Sequence, residues 1–255
     1  MIRLKSKREI EIMEKAAMIL RKAFEKLQPE VRPGVSTIEL DQIAEKAIQA
    51  AGGKSAFKGY RGFPGTLCVS INEEVVHGIP SKNRLLADGD LVSLDLGVLY
   101  QGYYADAARS LVLGKGTGEA KRLVRVAREA FLAGLHAVQA PGKRMGDLSQ
   151  AVQEVVEKNG FGVVRDYVGH GIGQAIHEEP SVPNYGKAGH GIKIETGLVI
   201  AIEPMVTAGH YAVETLADGW TVVTKDRKWA SHYEDTVAFT EKGLVNLTGP
   251  DESWN

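Results

Sequence analysis

Laid against itself at an offset of 108 residues, the chain repeats. Pro33-Gly34 falls on Pro141-Gly142, and Leu40, Gln42, Ala47, Ile48 and Gly52 fall on Leu148, Gln150, Val155, Val156 and Gly160. Amphipathic helices often resemble one another, so these matches alone carry little weight. The strand beyond them says more. Gly89-Asp90-Leu91-Val92-Ser93-Leu94-Asp95 falls on Gly197-Leu198-Val199-Ile200-Ala201-Ile202-Glu203, so a carboxylate lands on a carboxylate inside matched apolar runs. A repeat of this kind constrains the architecture before any local reading does. Each half reads as helix, helix, loop, strands. The expectation is an α+β fold of two pseudo-symmetric halves, about 6–111 and 117–240, within one catalytic domain spanning 1–255. Sheets meeting along the pseudo-two-fold axis would set the carboxylate-bearing strands face to face.

Local signals place the elements. Ser6-Lys7-Arg8-Glu9 has the form of a capping box, and Ile10, Met13, Ala17, Leu20, Phe24 and Leu27 keep helical spacing, which predicts a helix over 7–27. Ser36-Thr37-Ile38-Glu39 opens a second capped helix that runs to Ala51 and stops at Gly52-Gly53. An aromatic, Gly-rich loop over 57–65 precedes a short strand, Leu67 to Ile71. A long helix is expected from Glu119 to Gln139, and a shorter one capped by Asp147 and ending at Asn159-Gly160. Leu198 to Pro204 reads as an apolar strand broken by Glu203, and 232–239 as a late strand carrying Glu234.

Between those segments lies the part of the chain that carries chemistry. Leu91 to Gly97 alternates like a strand yet holds Asp95 at its middle, and Tyr103 to Ser110 answers with Asp106. A tight turn on Gln101-Gly102 pairs residues whose numbers sum to 203, so Asp95 faces Ala108 and Gly97 faces Asp106. Asp95 and Asp106 then become diagonal neighbours on one face. Two carboxylates that close repel unless a proton or a cation separates them. Two solvated acids on an edge hairpin is the plainer reading until the second half is considered. That half adds His170, flanked by Gly169 and Gly171, then His177, Glu203 and Glu234. The glycine-rich run 169–173 lacks the wider nucleotide-binding fingerprint and is not followed by a capped helix.

Asp95, Asp106, His170, Glu203 and Glu234, set in Leu94-Asp95-Leu96-Gly97, Tyr104-Ala105-Asp106, Gly169-His170-Gly171, Ile202-Glu203-Pro204-Met205 and Tyr233-Glu234-Asp235-Thr236, resemble the type I methionine aminopeptidases. The resemblance runs over roughly 5–248. It implies the pita-bread fold of creatinases and aminopeptidases, with helices outside central antiparallel sheets. It also implies two divalent cations, with Asp106 and Glu234 bridging, Asp95 on one and His170 and Glu203 on the other. Oxygen-rich donors suit Mn, Fe or Co and admit Zn, and four negative charges balance two dications. Glu203 is the implied proton shuttle. His77 and His177 are the implied substrate and oxyanion donors, and Tyr60, Phe63, Cys68, Ile176 and Trp220 the implied walls of a methionine pocket, where sulfur and aromatic rings meet favourably. Arg61 stands where many relatives carry His, and Ile176 where Phe is common. His136, His190, His210 and His232 match no catalytic position and read as structural or solvated.

The implied reaction removes the N-terminal methionine of nascent chains when the second residue is small, by a cytoplasmic monomer working near the ribosome. The formal net charge of −1 and the absence of a long basic run offer nothing to nucleic acid, and no apolar stretch is long enough for a bilayer. The single cysteine excludes an internal disulfide framework. The same fold also serves prolidases and proline-cleaving aminopeptidases, which carry a further N-terminal domain. Creatinase-like enzymes work without metal, and non-enzymatic relatives should have lost ligands that this chain retains.

Overall fold

The computed structural model describes residues 1–249. In chain order the elements are α1 (Lys7–Leu27), α2 (Thr37–Ala50), β1 (Lys54–Ser55), β2 (Leu67–Ile71), β3 (Glu74–Val76), β4 (Leu91–Tyr100) and β5 (Tyr103–Val112). There follow α3 (Gly118–Ala137), α4 (Met145–Lys158), β6 (Gly162–Val163), β7 (Gly169–Gly171), β8 (Glu178–Val182), β9 (Val199–Ile202) and β10 (Met205–Thr207). The chain continues with β11 (Val213–Thr215), β12 (Val222–Thr224), β13 (Ala230–His232), β14 (Glu234–Thr240) and β15 (Gly243–Asn246).

The helix ends are set by the residues the sequence offers. The Ser6 and Glu9 side chains close a capping box at α1, and Ser36 with Glu39 repeats it at α2; each box satisfies backbone donors that no helical carbonyl reaches. At α4 the expected cap is displaced. Arg144 is the N-cap and Asp147 is the third helical residue, its carboxylate accepting the Arg144 backbone N–H at 2.8 Å. The late strand is also two pieces, β13 and β14, separated at Tyr233.

The main sheet runs β1-β4-β5-β14-β9-β7-β8, with β2 also paired to β4 and β15 to β14. The β4–β5 hairpin has the expected register: Asp95 opposes Ala108 and Gly97 opposes Asp106. Gln101 (φ 47°) and Gly102 (φ 84°) both take left-handed conformations, as a two-residue turn matching the strand twist requires. The offset of 108 recurs in three dimensions. α2 and α4, β1 and β6, and the starts of β4 and β9 are each related by it. So are the isolated bridges Ser36↔Leu85 and Arg144↔Lys193.

Alternation then divides the sheet into two faces. Val92, Leu94, Leu96 and Val98 of β4 and Ala105 and Ala107 of β5 join Met13, Leu20, Phe24 and Leu40 in the core beneath α1 and α2. Ile200, Ile202 and Val237 join Leu123, Phe131, Leu148 and Val152 beneath α3 and α4. The opposite face receives Asp95, Asp106, Ala108, Glu203 and Glu234, and that is where the chemistry collects.

Candidate active site

The sheet register itself assembles the cluster. Cys68 of β2 opposes Asp95, Asp95 opposes Ala108, and Ala108 opposes Glu234. Two carboxylates therefore flank one methyl group, and Asp106 lies diagonal to both, opposite Gly97. On β7, His170 opposes Ala201, and Glu203 follows two residues later on the same face. Ala108 and Ala201 put only methyl groups opposite Glu234 and His170.

The donors are buried and under-satisfied. Asp95, Asp106, His170 and Glu234 are buried, and Asp95 Oδ1, Asp106 Oδ1 and Glu234 Oε1 have no hydrogen-bond partner. Burial raises the Asp95 carboxyl to about 7. Burial first, and then the neighbouring carboxylates, push Asp106, Glu203 and Glu234 well above the usual range. Crowded acids in a poor solvent retain protons until a cation replaces them. Donor atoms of Asp95, His232 and Glu234 lie within 4.8 Å of one another, as do those of Asp106, His170 and Glu234. Glu234 belongs to both groups.

His170 is prepared as a ligand by its surroundings. Its Nδ1 lies 3.0 Å from the Gly171 carbonyl, which holds the proton there and leaves Nε2 3.5 Å from Glu203 Oε1. Burial, then His177, lowers its pKa to about 3, so the ring is neutral and its lone pair free. The flanking glycines have a steric cause. A Cβ at 169 would lie 2.4 Å from the Ala201 carbonyl oxygen, and one at 171 would lie 2.2 Å from that of Glu179.

Around the cluster opens a cleft of about 280 Å³. Tyr60, Phe63, Cys68 and Trp220 line it, together with Phe57, His77 and His177. Ile176 lies among the apolar side chains packed with Ala56, Phe57, Phe63 and Cys68. Phe63 meets Trp220 edge-on at 5.1 Å. Burial and four nearby carboxylates raise the Cys68 thiol well above its usual range, which makes it an inert wall. His77 turns into the cleft from a left-handed backbone (φ 61°), and burial, then His177, lowers its pKa to about 4. His177 stands at the exposed rim, its Nδ1 2.9 Å from the Tyr60 hydroxyl. Arg61, also left-handed at φ 48°, stacks over Tyr60 with its guanidinium 5.3 Å from the ring centre.

His136, His190 and His210 are exposed, as expected of solvated residues. His232 is not one of them. It is 1% exposed. Its Nε2 lies 3.7 Å from Glu203 Oε2 and 3.9 Å from Glu234 Oε2, and neither ring nitrogen has a hydrogen-bond partner. The solvated reading of His232 is thereby corrected: the ring is buried and enters the cluster from β13. The sequence carries a signal for it, since His232 precedes Glu234 by two residues and alternation sets such a pair on one strand face.

A sequence profile described as metallopeptidase family M24 matches residues 11–241. The chain belongs to metallopeptidase family M24. A methionine aminopeptidase of Clostridium acetobutylicum is 48% identical over 248 residues, covering 97% of this chain and 99% of that protein. Methionine aminopeptidase 1 of Bacillus subtilis is also 48% identical over 248 residues, at 97% and 99% coverage. Among solved structures, a methionine aminopeptidase of Thermotoga maritima superposes with a TM-score of 0.95 at 43% identity, covering 98% of this chain and 100% of that one. The prolidase of Pyrococcus furiosus gives 0.75 at 28% identity, with this chain covering 66% of its length. The fold is the pita-bread fold these structures share.

M24 membership makes the chain a metal-dependent hydrolase, and the orphaned carboxylate oxygens fit divalent cations. One consequence concerns stability. Between the ordinary Asp pKa near 4 and the value of about 7 at Asp95, the folded state holds a proton that the unfolded state releases. Metal-free protein therefore loses stability from this group as pH rises through that window, and metal must compete with a proton at its lower end. The rise in Tm on adding Co(II) to stripped protein is expected to be larger at pH 8 than at pH 5.5. Calorimetry at the two pH values checks this, and an equal rise at both would refute it.

Proposed function

We propose that this M24 hydrolase removes the N-terminal methionine from newly made proteins whose second residue is small, with residues 1–255 acting as one catalytic unit. The observation that carries the reading is the geometry around Glu234. It is shared by two donor groups, drawn from both halves of the chain and opening into an aromatic, sulfur-lined cleft. Asp106 and Glu234 would bridge two cations, Asp95 would hold one, and His170 and Glu203 the other. Their oxygen-rich set suits Mn, Fe or Co and admits Zn. Such cations, when bound, supply charge that polarises the scissile carbonyl and acidifies water.

The protein's own side chains do the rest. Glu203 accepts the proton of the attacking water and returns it to the leaving amine. His77 and His177 donate N–H groups to the oxygen that gains charge, an interaction stronger in the transition state than in the ground state. Tyr60, Phe63, Cys68, Ile176 and Trp220 shape the methionine pocket. On this reading it works on nascent chains near the ribosome, in the cytoplasm, as the monomer that the family resemblance implies. Among the described residues no helix is long and apolar enough to cross a membrane. Lys5 is not spare positive charge for docking, since it pairs with Glu178 at 2.7 Å.

The pocket wall yields a prediction. A Cβ on Gly97 would lie 2.7 Å from Ala56 Cβ and 2.8 Å from Phe57 Cε1, so Gly97→Ala forces the aromatic ring toward the cleft. KM for Met-Ala-Ser is expected to rise about tenfold, the effect of roughly 1.4 kcal/mol of overpacking. An unchanged KM would show that Phe57 does not shape the pocket.

The test of the function strips the protein with a chelator and assays Met-Ala-Ser and Ala-Pro peptides while adding back Mn, Fe, Co and Zn. Metal-dependent release of free methionine is the expected result. Cleavage only before proline would move the chain to the prolidase branch, and no release with any metal would overturn the reading.

A further inference from the structure

We propose that His232 is a ligand of the metal centre, so that each of two cations is held by one imidazole: His170 beside Asp106, and His232 beside Asp95, with Glu234 common to both. The inference rests on reading the cluster as a two-cation site and adds a nitrogen donor to the five residues that the family resemblance implies.

Three observations support it independently. The first is placement. His232, Asp95 and Glu234 bring donor atoms within 4.8 Å of one another, the same closeness as Asp106, His170 and Glu234. The second is an unfulfilled ring. His232 is 1% exposed and neither of its nitrogens has a hydrogen-bond partner, whereas His170 has its Nδ1 engaged by the Gly171 carbonyl. A buried polar ring without partners is costly and rare enough to need a cause. The third is the support behind it. Ser110 Oγ accepts the His232 backbone N–H at 3.1 Å and donates to the His232 carbonyl at 2.7 Å. Ser110 Oγ also lies 2.7 Å from Ser93 Oγ, its cross-strand partner on β4. One hydroxyl hydrogen serves the carbonyl, so Ser93 donates to Ser110. The backbone of His232 is thus tied to the same two strands that carry Asp95 and Asp106, and Met205 opposite it on β10 lies two residues beyond Glu203.

The chemical consequence is a change of metal preference. Without His232, the Asp95 position offers oxygen alone, which favours hard cations such as Mn. An imidazole there favours cations that accept nitrogen readily, such as Co and Zn.

The experiment compares the stripped full-length chain with His232→Gln and His232→Asn, using Co(II) and Mn(II) as probes. Calorimetric titration of the wild type is expected to show two cobalt equivalents. Either variant should weaken one equivalent about tenfold or more while sparing the other, with manganese affected less. X-ray absorption at the cobalt edge should show about one imidazole per cobalt in the wild type and half that number in a variant. If neither variant folds by circular dichroism, the wild-type imidazole count still decides. Two equivalents with half an imidazole per cobalt in the wild type, or cobalt affinity unchanged in a folded variant, would overturn the role of His232 alone. Absence of cobalt binding by folded wild type would overturn the two-cation reading beneath it.

Discussion

Replacing Glu203 by Gln is expected to lower kcat on Met-Ala-Ser by about 10²–10⁴-fold, the usual worth of a positioned general acid–base group. The amide keeps the size of the side chain and removes the proton-accepting oxygen. It also removes one negative charge from a site whose carboxylates must balance cationic charge, so metal affinity falls with turnover. The backbone should hold, because it is fixed elsewhere: the Asn184 side-chain amide donates to the Glu203 carbonyl at 3.0 Å, and Pro204 and Met205 lead directly into β10. The two losses separate experimentally. At metal concentrations that restore full occupancy, checked by stoichiometry, the loss in kcat should persist while KM changes little. Near-normal hydrolysis at full occupancy would remove Glu203 from proton transfer and leave it a ligand only.

Much of this site was legible because strands obey a strict period. With Gln101-Gly102 as the turn, pairing fixes which faces Asp95 and Asp106 occupy, and the structure keeps that register. The offset of 108 located Glu203 for a related reason: matched apolar runs bury matched positions. What the sequence hid was governed by tertiary contact. Tyr233 interrupts the late strand, and the break sends β13 to pair with β10 while β14 joins the main sheet. That separation puts His232 on β13 and Glu234 on β14, and only their two-residue spacing in the sequence hints that both reach the cluster. Asp147 has the residue type of a cap, but Arg144 bridges to Lys193 and starts the helix earlier. Phe57 belongs to the cleft because Gly97 leaves room for its ring, a fact about two segments forty residues apart. Arg109 is the clearest case. A charged residue in an alternating strand reads as a solvent-facing position, yet here it is 1% exposed on the helix-facing side.

Arg109 explains how the metal-facing side of the sheet is held from behind, and it sets the second large effect. Its guanidinium lies 2.7 Å from Asp235 Oδ1 and donates to the Glu234 carbonyl at 2.7 Å and the Ala108 carbonyl at 2.9 Å. Asp235 in turn accepts from the Thr248 hydroxyl at 2.7 Å and the Asn246 amide at 2.9 Å. The carbonyls that Arg109 grips belong to Glu234 and to the alanine between Glu234 and Asp95, so the ion pair locks the β5–β14 seam from which the donors project. Tyr233 covers it, with the guanidinium 4.7 Å from the ring centre. Breaking a buried pair by removing one partner typically costs about 3–5 kcal/mol, because the remaining charge is stranded away from water. Asp235→Ala is therefore expected to lose that much stability in urea unfolding of the metal-free protein. It should also loosen metal binding without touching a donor atom. The double variant Arg109→Met with Asp235→Leu should recover part of the loss, since it strands no charge, and the difference between single and double variants measures the coupling. A loss below about 1 kcal/mol in Asp235→Ala would mean that water reaches the guanidinium and that the seam is held by the backbone ladder instead.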